Sequence, residues 1–215
     1  MTSYKQLHTN DEFLDFMEEL YFPSDTEIEE IKLPPLHYIS ATGKGSPGSP
    51  EFQEAIRALY GVAYRIKMGL KFDKIVKPVG YFDFKVPPLE GIWGWEDGSY
   101  FDASNKDNWE WQLMIMMPAF VSQNLFDQAV EQAKENHPDI PYDMVSLTRV
   151  AEGEAIQTTH IGPYKTEPRT VEKLVDYAKT HHYTIAGKHH EIYMGDPRRT
   201  SPEKLKTVLR YPVKA

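Results

Sequence analysis

The chain contains no cysteine in 215 residues. Disulfides, thiolate nucleophiles and cysteine-ligated zinc are excluded with it. It also lacks any apolar run of the roughly twenty residues that a bilayer requires, and its first residues do not show the basic-then-apolar order of a secretion signal. No membrane partner is expected, and a cytoplasmic location is the default. Positive charge is scarce: 24 Lys and Arg stand against 32 Asp and Glu, for a formal net charge of −8. Nucleic-acid binders need a basic footprint, so no nucleic-acid partner is expected. What the sequence does hold is rings, with Phe, Trp and Tyr making up 13% of it. Core packing accounts for most of them. The four Trp, however, fall in two W-x-W pairs, Trp93-Gly94-Trp95 and Trp109-Glu110-Trp111.

Apolar residues at helical spacing predict helices over 10–20, 50–70, 122–136 and 166–180. Asn10 or Asp11 is expected to cap the first, Ser49 or Pro50 to start the second, and Ser122 to cap the third. Residues 27–32 read as an acidic linker running into Pro34-Pro35. Extended segments are expected at 36–42, 81–85, 89–95, 109–117, 147–150, 153–160, 185–195 and 205–213. The order is a helix, then β-α-β-β, a connecting helix, and β-α-β-β again. An α+β fold follows: duplicated β-α-β-β modules over about 36–121 and 147–213, behind an N-terminal helix and linker over 1–35. Two sheets related by pseudo-two-fold symmetry are expected, with helices outside and a ligand groove between the halves.

The sharpest chemical signal is the strand Lys188-His189-His190-Glu191-Ile192-Tyr193-Met194. Alternation puts Glu191 and Tyr193 on one face and Ile192 and Met194 on the other, where the apolar pair is expected against helices. A strand carboxylate on a wet face is ordinary. Roofed by aromatics it changes character, because desolvation raises the energy of its charged form. Tyr81-Phe82-Asp83-Phe84 and the two Trp pairs can supply that roof. Gly91 and Gly94 leave room for a close backbone or a flat ligand. Glu191 and Tyr193 are thus the catalytic candidates. Candidate ligand contacts are Trp93, Trp95, Trp109, Trp111, Glu90, His160, Tyr164 and Tyr60, with Trp93 and Trp111 the best placed of the tryptophans. The bland alternative is a surface Glu and two sheet faces packed through Trp.

Other chemistry finds no support. His181-His182 and His189-His190 are adjacent pairs that point to opposite faces of a strand, and no H-E-x-x-H run exists, so no metal is expected. The loop from Gly43 to Pro50 lacks phosphate-loop spacing, and no G-x-S-x-G elbow is present. No cofactor is expected.

Several runs together resemble a known family. The C-terminal set is Glu191-Ile192-Tyr193, Asp196-Pro197, Pro202-Glu203-Lys204-Leu205, Thr207 and Tyr211-Pro212-Val213. Before the last helix stands His160-Ile161-Gly162-Pro163-Tyr164. The first half adds Gly43-Lys44-Gly45-Ser46-Pro47, Phe52, Ala55-Ile56, Leu59-Tyr60, Pro88-Leu89-Glu90-Gly91-Ile92-Trp93, and Trp109-Glu110-Trp111 before Pro118. This ordered set, from about Leu36 to Val213, is similar to the stand-alone, aromatic-rich GyrI-like small-molecule-binding proteins. The resemblance implies the doubled fold and a central groove. It also implies a groove acid, matched here by Glu191, that meets flat, lipophilic, often cationic ligands. Some relatives are sensors fused to DNA-binding domains, but the residues before Leu36 are too few and too acidic for a helix-turn-helix. Stand-alone members resemble hydrolases of cyclopropanoid genotoxins, which implies a detoxifying hydrolase. The alternative is a non-catalytic multidrug-binding module that sequesters or senses aromatic cations; a protein–protein inhibitor is the third reading.

Overall fold

The computed structural model describes residues 4–94 and 109–215, so Trp95 lies outside the described residues. The first half holds α1 (Asn10–Tyr21), β1 (Glu29–Leu33), β2 (Leu36–Lys44), α2 (Pro50–Lys71), β3 (Leu89–Gly94), β4 (Glu110–Met117) and α3 (Gln123–Asn136). The second holds β5 (Ser146–Val150), β6 (Gly153–Ile161), α4 (Pro168–Thr180), β7 (Thr184–Ile185), β8 (His189–Tyr193) and β9 (Lys206–Lys214).

One antiparallel sheet runs β1-β6-β9-β8-β3-β4-β2-β5, with β7 beside β9. Its order shows the duplication. The module β2-α2-β3-β4 contributes β3-β4-β2, and β6-α4-β8-β9 contributes β8-β9-β6. The two halves join through their equivalent strands β3 and β8, with Gly91 facing Glu191 at the middle of the pairing. The modules therefore form one continuous sheet and not two packed sheets. Each has an open strand edge, and joining the edges pairs both rows of backbone donors and acceptors.

Helices cover both faces. Phe52 of α2 stacks on Trp93, and Leu174 of α4 packs with Ile156, Leu209 and Tyr211. Because opposed strand residues share a face, Trp93 and Leu209 lie on the same side as Glu191. The module helices thus flank Glu191, where the groove is expected. The opposite face carries Ile192 and is covered by α1, whose Tyr21 hydroxyl donates to Glu90. Ile192 does face a helix, but that helix is α1. Among the described residues no helix is long and apolar enough to cross a membrane.

Local chemistry explains where the elements start, and where expectation fails. Ser49 and Ser122 accept from Phe52 N and Leu125 N, as expected of caps. For α1 the cap is Thr9 and not Asn10 or Asp11: Thr9 and Glu12 bond reciprocally as a capping box. The stretch 27–32 is not a linker, since Glu29–Leu33 forms edge strand β1 against β6. Its exposed charges suit an edge that must not recruit another strand. Residues 81–85 are not a strand. Pro87-Pro88 removes the donors a ladder needs, and Phe82 and Phe84 instead pack on Phe13 of α1. The expected strand over 185–195 is broken into β7 and β8 around Gly187, where a Cβ would lie 2.7 Å from the Pro212 ring.

Candidate functional site

The site is built on the β3–β8 seam. The register sets Glu191 opposite Gly91, His189 opposite Trp93, and Tyr193 opposite Leu89, while Trp93 also faces Trp111 across β4. Opposed residues share a face, so Glu191, His189, Tyr193, Trp93 and Trp111 project together. A directed chain of hydrogen bonds links them. Trp93 Nε1 donates to Tyr193 Oη at 2.9 Å, and Tyr193 donates to Glu191 Oε2 at 2.7 Å. His189 Nε2 lies 3.1 Å from Glu191 Oε1. Both carboxylate oxygens are thus held. Gly91 permits this arrangement, because a Cβ there would lie 2.9 Å from Trp93 Nε1 and 3.0 Å from Tyr193 Oη. The room it leaves is filled by these two side chains.

Aromatic rings wall the carboxylate on the α2 side. Phe52 stacks on Trp93 at 5.6 Å and meets Trp111 edge-on at 5.3 Å; Trp109 meets Trp93 edge-on at 5.6 Å. Trp111 fits because a Cβ on residue 43 would lie 2.3 Å from its ring, and that residue is Gly43. On the α4 side Tyr164 stands edge-on to Tyr193 at 6.1 Å and is 39% exposed, which puts it at the mouth. Tyr60 of α2, stacked on Tyr64, meets the backbone of Leu89 at one end of the seam.

The electrostatics of the groove are dominated by burial and negative charge. Burial, then Glu191, pushes the Tyr193 phenol well above its usual range, so it remains a neutral donor. Tyr164 rises to about 12 through burial and the carboxylates of Glu167 and Glu191. Glu167, which precedes α4, rises to about 8, first through burial and then through the charge of Glu191. No sequence signal marks Glu167. It precedes Pro168 at a helix start, where an acid ordinarily serves the helix dipole, and it is brought to the groove only by the fold.

Two candidates lie elsewhere. Glu90 is fully buried on the opposite face, under α1. It accepts from Tyr21 and Tyr38, and its Oε2 is 2.9 Å from His190 Nε2. Because Gly91 is the residue opposite Glu191, its neighbour Glu90 must point the other way, so it cannot line the groove. His160 bonds Thr170 through Nδ1 at 2.8 Å and Thr166 through Nε2 at 3.1 Å. It opens on a separate cavity of about 650 Å³ between residues 25–28, β6 and α4. Among the described residues no group of three or more His, Asp or Glu is arranged to hold a metal ion.

A doubled β-α-β-β sheet with an acid between its flanking helices describes a class of small-molecule receptor. Residues 26–214 match the GyrI-like small molecule binding domain, and the chain belongs to that family. It is similar to a conserved protein of unknown function from Listeria innocua, at 38% identity and TM-score 0.85, over 94% of this chain and 98% of that one. A hydrolase from Listeria innocua is 37% identical at TM-score 0.85 over the same shares. The C-terminal domain of EcmrR shares the fold at 10% identity, TM-score 0.54, over 87% of this chain and 97% of that one. No curated protein matches the chain.

Proposed function

We propose that the protein is a cytoplasmic detoxifying hydrolase that opens the strained ring of flat, lipophilic cyclopropanoid compounds by adding water. The observation that carries this reading is the Glu191 carboxylate, buried among rings and held by Tyr193 and His189. A buried carboxylate with fixed orientation is a good acceptor for the proton that an attacking water must lose. Trp93 orients Tyr193, and Tyr193 orients Glu191, so the base is aimed before substrate arrives. Tyr164, at 39% exposure, offers the accessible stacking face, and the buried rings of Trp93, Trp109 and Trp111 back the carboxylate behind it. The hydrolase from Listeria innocua, similar over nearly the whole chain, supports hydrolysis as the reaction class.

Product analysis by mass spectrometry tests the reading. Addition of one water to a cyclopropanoid, abolished in Glu191→Gln, is the expected result. A second reading is favoured by the same negative charge among rings, which suits an aromatic cation through Coulomb and cation–π attraction. Tight binding of such a cation with every cyclopropanoid left unchanged would select a sequestering module over an enzyme.

A further inference from the structure

We propose that Glu167 is the proton donor of this groove, protonating the substrate atom that receives the ring's electron pair while Glu191 takes a proton from the attacking water. The assignment rests on the hydrolase reading above and adds a second reacting group to it.

The geometry sets Glu167 apart from an ordinary helix-start acid. Its side chain makes no capping hydrogen bond to α4. It is 7% exposed, and its Oε1 has no hydrogen-bond partner among the described residues. Such an atom is costly in a structural role and useful in a site that a ligand completes. The side chain lies beside the Thr207 hydroxyl of β9, the residue directly opposite Tyr193 of β8, which places it on the face of Glu191. The groups that face it are Glu191 and Tyr193 from β8, Tyr164 from the turn before α4, and the Thr207 hydroxyl. The N-terminus of α4 favours a charged carboxylate. Burial, and then the charge of Glu191, oppose this and prevail, raising Glu167 and favouring its protonated form.

Two carboxyl groups in different protonation states divide the chemistry between them. Water's oxygen bonds to a ring carbon as one ring C–C bond breaks. The electron pair of that bond moves to an electronegative atom conjugated with the ring, such as a carbonyl oxygen. Glu191 takes the proton released by water, and Glu167 gives its proton to the new anion. The product is substrate plus one water. Loss of the proton from Glu191 to solvent and return of one to Glu167 resets the pair.

The test uses the full chain and a cyclopropanoid whose ring is conjugated with a carbonyl. In Glu167→Gln and Glu167→Ala, kcat should fall about a hundredfold or more at neutral pH, the usual scale of general acid catalysis. KM and the Trp-quenching affinity for a ring-opened analogue should stay within about twofold, because the acid acts mainly in the transition state. Glu167→Asp should recover part of the rate. The wild-type kcat should decline as pH rises through about 8, and the residual rate of Glu167→Gln should lose that limb. A wild-type kcat that is flat across that range overturns the assignment without any variant. So does an active wild type alongside fully active Gln and Ala variants. A wild type that opens no ring overturns the hydrolase reading itself, and the assignment falls with it.

Discussion

Buried acids lie at both faces of strand β8, and the two faces treat them differently. Under α1, Glu90 and Glu152 are tied to cations. His190 bridges them, with Nε2 and Nδ1 each 2.9 Å from a carboxylate, and Arg210 adds Glu152 at 3.3 Å, Gln157 at 2.9 Å and the Leu20 carbonyl at 2.7 Å. Burial there works against charge on His190, but Glu152 and Glu90 outweigh it and hold the imidazole up at about 9. Burial likewise works against charge on Glu152, but His190 and Arg210 hold it down at about 2. Across the sheet, Glu191 is oriented by a phenol and an imidazole, and burial, with its charge, drives Glu167 the opposite way. A network with its charges matched anchors α1 to the sheet. The pair of acids beside Tyr193 has no arginine partner among the described residues, and the proposed ligand site rests on that pair.

The largest expected effect breaks the matched face. Arg210→Met leaves Glu152 short of a cation and the Leu20 carbonyl short of its donor. The expected cost is about 3–5 kcal/mol, the usual consequence of removing one partner of a buried pair. Urea unfolding measures it, and a loss under about 1 kcal/mol would mean that this face is not held by its charges.

Stability against pH sharpens the comparison. His190 is raised from 6.5 to about 9, so its contribution is complete below about 6.5 and lost as pH rises through about 9. Glu152 is lowered from 4.5 to about 2, so its contribution is complete above about 4.5 and lost as pH falls through about 2. Glu167 is raised, so the native state keeps a proton that the unfolded chain releases, and it costs stability increasingly between about 4.5 and 8. The maximum should lie between about 4.5 and 6.5. Glu167→Gln should stabilise the protein by about 1–3 kcal/mol at mildly alkaline pH and do little near pH 4, since only the wild type must hold a proton there. Equal stabilisation at both pH values would assign the effect to packing.

A smaller effect is expected at Gly91→Ala. The new methyl would lie within 3.0 Å of both Trp93 Nε1 and Tyr193 Oη, so that hydrogen bond must lengthen. A cost of about 1–2 kcal/mol is expected, as for modest overpacking. Turnover should suffer more than binding, because Tyr193 is what aims Glu191. Thermal unfolding with a kcat-against-KM split checks both.

Much of this was legible in the chain. Alternation alone puts Glu191 with Tyr193, and the W-x-W spacing puts Trp109 and Trp111 on one face of their strand. The element order with its duplication follows from period and turn residues. What stayed hidden depends on partners far along the chain. Whether Glu90 or Gly91 shares the face of Glu191 is decided by the β3–β8 register, which no local pattern encodes. Glu167 comes to lie beside Thr207 and near Glu191 through the way α4 lies on β9. Strand β1 exists because β6 offers it an edge, whatever its own acidic composition suggests. The Thr9–Glu12 capping box is different, since its T-x-x-E spacing stands in the sequence beside Asn10 and Asp11, which offer the same capping chemistry.

The most direct measurement is Glu191→Gln assayed with three compounds of similar shape: an aromatic cation, its neutral counterpart and a neutral cyclopropanoid. Gln keeps the size and removes the charge. The cation should bind about ten- to a hundredfold more weakly, as for loss of a charge-assisted contact of about 1–3 kcal/mol. The neutral ring should bind as before, because stacking on aromatic side chains needs no charge. Water addition to the cyclopropanoid should be lost. Equal weakening for the cation and the neutral ring would point to disturbed packing in place of electrostatics, and undiminished turnover would remove Glu191 from the reaction.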